Sequence, residues 1–109
     1  MATLMTGDQR AMEQPELPLP PEPVALKQKT RRLLEESPEE GLRLVAAGEW
    51  IARPLWRAWR PVLAARGMER KRFKAIAAGY QNELRLWVMG ERPWAHCVAG
   101  LAGRVRRRL

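Results

Sequence analysis

Few residues in this chain could do covalent chemistry, and they are poorly spaced for it. His96 and Cys97 are the only members of their types. As neighbours on a helix they would point about 100° apart, so they make no nucleophile–base pair between them. Asp8 is the sole aspartate and Ser37 the sole serine, and Ser37 has a ready use as a helix cap. Glu35, Glu36, Glu39 and Glu40 read as capping groups and solvated helix faces rather than a paired acid and base. A metal site needs several ligands at suitable spacing, and the sequence offers none. It also lacks a glycine-rich phosphate loop. The chain is therefore not expected to be an enzyme, and no catalytic residue, metal ligand or cofactor is assigned. Cys97 is expected to be a small core residue and His96 to face solvent.

What the chain has in quantity is positive charge. The formal net charge is +8 and the pI about 11.0. Residues 1–25 carry a net −3, residues 26–40 a net of zero, and residues 41–109 a net +11. Sixteen of the twenty bases are arginine, whose planar fork suits bidentate contacts with phosphate or carboxylate. Such a surface attracts polyanions: nucleic acid, anionic lipid or an acidic protein. The single cysteine rules out an intrachain disulfide and is compatible with a reducing, cytoplasmic setting. Residues 1–20 do not read as a signal peptide, and no apolar run reaches the roughly 18 residues needed to span a bilayer.

The elements that must position these charges read as helices. Alanine, leucine and arginine dominate, and β-branched residues never alternate in period two. The expected fold is all-α: a small bundle of four to five short helices over residues 24–109, ending in a helix-turn-helix-like hairpin. Residues 1–23, with QPELPLPPEP, read as a disordered, proline-rich acidic tail, either a solubilising leader or a docking segment. A first helix is expected over residues 24–36. A second runs from Pro38 to about Ala47, with Ser37 as cap, Pro38 in the first turn and a stripe of Leu42, Val45 and Ala46. A break is expected at Gly48.

Residues 49–66 contain PLWRAWRP. Here Ile51, Leu55, Trp59 and Val62 share one face, Arg53, Arg57 and Arg60 the opposite one, and Trp56 the border. Pro61 is expected to kink or end this helix, with Gly67 closing the piece beyond it. The spacing predicts one long helix over residues 69–89, with Phe73, Ile76, Ala77, Tyr80, Leu84, Trp87 and Val88 as its stripe. Gly90 is expected to cap it. A last helix starts at Pro93 and buries Trp94, Cys97, Val98, Leu101 and Val105. Ala95, Ala99 and Gly103 give it a smooth face of small residues, and Arg104, Arg106, Arg107 and Arg108 finish it.

Two helices joined by Gly90-Glu91-Arg92 match the outline of a helix-turn-helix. The expected nucleic-acid contacts are Lys71, Lys74, Arg85, Arg104, Arg106, Arg107 and Arg108. Lys71, Lys74 and Arg85 lie on the first helix, and Arg104, Arg106, Arg107 and Arg108 at the far end of the second, where phosphate contact is favoured over base readout. The expected function is thus phosphate-directed binding of nucleic acid, DNA in preference to RNA. The alternative is a helical adaptor or self-associating module, warranted by five tryptophans in a short chain. A third reading, a peripheral membrane protein, rests on Trp and Arg sharing one amphipathic piece. It is weakened by Pro61 and by a polar face of only three charges.

Overall fold

A computed structural model describes residues 16–47 and 49–109. Six helical segments follow one another: α1 (Val24–Glu36), α2 (Pro38–Ala47), α3 (Glu49–Ala65), α4 (Arg70–Gly79), α5 (Gln81–Val88) and α6 (Trp94–Arg107). The all-α bundle is as expected. The α4–α5 pair, divided at a single residue, occupies the span read as one helix. The expected break at Gly48 and the tail up to residue 15 fall outside the described residues.

α1 and α2 form a tight hairpin about Ser37, whose N–H donates to Leu33 O (2.7 Å) and whose carbonyl accepts from Gly41 N (2.9 Å). The helices approach so closely that a β-carbon on Gly41 would lie 2.8 Å from Leu34 Cα. This contact turns the buried face of α2. Gly41 and Val45 point inward, while Leu42 and Ala46, expected inside, are exposed. The sequence pattern selects the apolar side, whereas the geometry selects the side with no side chain in the way.

α3 runs through both Pro54 and Pro61 to Ala65, contrary to the expected break. Ile51, Leu55, Trp59 and Leu63 recur at i,i+4 and are fully buried, and this packing outweighs the local loss. Pro61 is exposed and so is Arg57, so the carbonyl that a residue-61 N–H would have met faces solvent. The arginine face of the helix is solvated as read, and Trp56 borders the core against Phe73 at 5.7 Å. Gly67, at φ 81°, closes the helix: its N–H donates to Ala64 O (3.0 Å) and Met68 N–H to Leu63 O (2.9 Å).

The span 69–89 is two helices. Tyr80 leaves the helical path (φ −103°, ψ 13°), and its hydroxyl lies where a β-carbon on Gly100 of α6 would collide with it. The chain bends where its tyrosine docks on a later helix, next to the weak helix former Gly79. Gly90 (φ 81°) closes α5, with Glu91 N–H reaching back to Leu86 O (2.8 Å). Trp94, Cys97, Val98, Leu101 and Val105 of α6 are buried as expected, together with Ala102.

Candidate functional site

Four arginine side chains converge on an open cleft of about 340 Å³ between α4 and the end of α6. Arg72, Ala75, Ile76 and Gly79 form its α4 wall, one helical face at i, i+3, i+4 and i+7. Arg104, Arg107 and Arg108 form the other wall. The small side chains of Ala75 and Gly79 leave the space that the guanidinium groups surround. Among the described residues no carboxylate side chain is part of the lining.

Arg104 is held in place. Its Nη1 donates to Gly79 O at 3.2 Å, meeting a carbonyl that the end of α4 leaves without a helical partner. Its guanidinium lies 4.8 Å from the centre of the Tyr80 ring, a cation–π contact. Tyr80 stays a neutral phenol: burial pushes its pKa up from 10.0, Cys97 and Glu83 push the same way, and Arg104 and Arg92 oppose them. The residue that divides α4 from α5 is thus also the platform for one wall of the cleft. Arg104, Arg106 and Arg107 further lie in the last turn of α6, where its dipole favours cations.

The structure brings together Arg104, Arg107 and Arg108 of the expected contacts. Lys71, Lys74, Arg85 and Arg106 do not line the cleft. Lys71 and Arg85 are exposed and Lys74 is half-buried. Their expected common flank assumed an unbroken helix, and the bend at Tyr80 puts Arg85 on a different one. Arg72 was missed, because its membership depends on α6 arriving beside α4. Ala95 and Ala99 are exposed, so the smooth face of α6 is open rather than packed on another helix.

The residues considered for covalent chemistry have ordinary roles. Cys97 is buried, and its thiol donates to Glu83 O at 3.4 Å. Burial first, and the Glu83 carboxylate second, push its pKa above 9.0, which keeps it in the unreactive thiol form. His96 is exposed, 3.1 Å from Arg92 Nη1. Among the described residues no cluster of His, Cys, Asp or Glu could hold a metal, and no helix is long and apolar enough to cross a membrane.

A second feature was legible only as a suspicion about the tail. Residues 16–23 carry no helix or strand, yet they lie along the core as a strap. Trp59 Nε1 donates to Pro18 O (2.7 Å), Trp94 Nε1 to Pro20 O (2.7 Å) and Trp87 Nε1 to Glu22 Oε2 (2.8 Å). Leu17 is buried with the core, and Lys27 Nζ lies 3.8 Å from the Glu22 carboxylate. This part of the expected free tail is therefore docked. Beside the strap's end, a groove of about 400 Å³ runs between α1, α2 and α3; Leu26, Leu44, Trp50 and Pro54 give it an apolar surface, and Lys29, Arg53 and Arg57 also line it.

Fold and site together define a small all-α bundle with an arginine cleft at one end and a tryptophan-bound proline strap across its core. Comparison with known protein families, with curated proteins and with solved structures finds no match for this chain.

Proposed function

We propose that the protein binds nucleic acid through its phosphates, with the cleft between α4 and α6 as the anchoring site and DNA as the favoured form. The observation that carries this reading is the convergence of Arg72, Arg104, Arg107 and Arg108 on one open cleft whose lining, among the described residues, includes no carboxylate side chain. Four like charges gathered there repel one another, and an anion turns that repulsion into attraction. Arginine forks bind phosphate oxygens in pairs, and Arg104 is already oriented by Gly79 and Tyr80. The contacts lie at the end of α6 and suit backbone binding rather than base readout.

The test is fluorescence anisotropy of labelled duplex DNA, single-stranded DNA and RNA, titrated from about 50 to about 300 mM salt. Binding that survives about 150 mM salt and prefers the duplex supports the proposal. Weak binding that disappears equally for all three forms overturns it.

A helical adaptor remains the second reading, favoured by the apolar groove between α1, α2 and α3. It predicts association on light scattering without nucleic-acid affinity. A lipid surface is the poorest fit. Trp59 is buried and Trp56 half-buried against Phe73, so the Trp–Arg piece has little aromatic surface to insert.

A further inference from the structure

The strap is bound in the way a proline-rich peptide is bound. Its acceptors are main-chain carbonyls of Pro18 and Pro20, two residues apart, and its donors are indole N–H groups. The Pro20 carbonyl belongs to the Pro20–Pro21 bond, a tertiary amide with no N–H of its own to compete. Proline-rich segments dock in aromatic grooves because they are already extended and lose little freedom on binding. The groove also reads a charge: Glu22 sits between Trp87 Nε1 and Lys27 Nζ. The three tryptophans come from α3, α5 and α6, which are separated from the strap by 41 to 74 residues in sequence. The ligand pattern displayed is Leu17-Pro18-Leu19-Pro20-Pro21-Glu22, in which Leu19 points out and is 56% exposed.

The strap joins the body through a tight hinge. Val24 N–H donates to Glu22 O at 2.9 Å, and Pro23 sits at φ −79°, ψ 77°, an inverse γ-turn. Beyond it α1 begins at once, so the segment meets the helix with no slack. Opening that turn sends the strap away from its own groove with all its recognition groups intact.

We propose that the groove of Trp59, Trp87 and Trp94 is a polyproline-recognition site that works between molecules as well as within one, and that its occupant in trans is the strap of a second copy of this chain. An exchanged pair makes the same three tryptophan hydrogen bonds as the closed monomer and gives up the Val24 N–H to Glu22 O bond of the opened turn. The balance between them is set by protein concentration against the effective concentration of the tethered strap.

The experiment uses the full chain and a fluorescein-labelled peptide of residues 13–24, read by anisotropy, with light scattering of the chain alone alongside. Leu17→Asp loosens the strap in cis. The peptide should bind this variant at least tenfold more tightly than it binds the parent chain, and Trp59→Phe added to it should reverse most of that gain. The parent chain should form a dimer that grows with concentration and is dissolved by excess peptide. Where Leu17→Asp does not fold by circular dichroism, Glu22→Ala, which loosens the strap by removing the acceptor of Trp87 Nε1 and the partner of Lys27, takes its place. A folded, loosened chain that ignores the peptide overturns the recognition site. Peptide binding with a chain that stays monomeric at millimolar concentration overturns the exchange between copies.

Discussion

The strap groove and the arginine cleft lie in the same small bundle but are built on opposite rules. In the groove the indole N–H of each of the three tryptophans is paired; Trp87 lies 4.6 Å from Trp94 and 6.1 Å from Trp50, stacked on the latter at 19°, and Trp59 packs edge-on against Phe73 at 5.8 Å. In the cleft, charges of one sign face open space and a single guanidinium is pinned. The first region is satisfied by the chain itself. The second is satisfied only from outside. Burial and pairing hold the fold in the groove, whereas the unbalanced charge of the cleft is the basis of the proposed binding.

The largest expected effect lies in the groove. Trp87→Ala removes a fully buried ring that touches two other tryptophans and anchors Glu22, and should cost about 3–5 kcal/mol, measured by urea unfolding. In a domain this small such a loss leaves little folded protein at 37 °C. A cost under about 1 kcal/mol would mean that the tryptophan cluster is not the centre of the core.

Next comes the junction between the two regions. Gly100→Ala places a methyl group where the Tyr80 hydroxyl lies and should cost about 1–3 kcal/mol as the ring is displaced. Because Tyr80 is also the platform for Arg104, the same variant should loosen the cleft, so that polyanion affinity falls even at temperatures where the protein stays folded. Loss of stability with unchanged affinity would separate the regions more sharply than the geometry does.

Thr30 gives a test of the opposite sign. It is fully buried in α1, and its hydroxyl has no hydrogen-bond partner among the described residues. Thr30→Val keeps the shape and removes the unpaired group, and should stabilise the protein by about 1 kcal/mol, seen as a higher melting temperature.

Much of the fold is legible in the sequence because it is local. The hinge at Ser37-Pro38, the glycines at 67 and 90 and the apolar stripe of α6 each follow from neighbours within a turn or two. The features that differ from expectation depend on how the helices pack rather than on the apolar pattern. The bend at Tyr80 is set by Gly100, twenty residues on, and the rotation of α2 by the closeness of Leu34 to Gly41. The helix survives Pro61 because that ring faces solvent while Trp59 beside it is buried. The site divides in the same way. Arg104, Arg107 and Arg108 could be found as one run, whereas Arg72 joins them only through the packing of α6 beside α4. The tail's docking was hidden because its partners lie in three later helices.

A smaller effect follows from pH. Burial holds the Cys97 thiol above 9.0 and the Tyr80 phenol above 10.0 in the folded chain. Above about pH 9 the unfolded chain therefore releases protons that the folded one retains, and stability falls as pH rises. Below pH 9 this contribution is fully present. The melting temperature should decline through the alkaline range, and Cys97→Ala should delay the onset. A flat profile up to about pH 11 would contradict the burial of both groups.

The central claim is that location, not net charge, gives the cleft its affinity. The direct test pairs two triple variants, Arg104→Ala/Arg107→Ala/Arg108→Ala at the cleft and Arg53→Ala/Arg57→Ala/Arg60→Ala on the exposed face of α3. Both lower the formal charge of +8 by three, and both should change stability by less than about 1 kcal/mol. Binding of labelled duplex DNA across salt concentrations is then compared with the parent chain. The account predicts that the cleft variant loses roughly one unit of salt slope for each contact removed, while the α3 variant keeps nearly the parent slope. Equal losses in the two variants would contradict it and leave only a generic attraction between a basic protein and a polyanion.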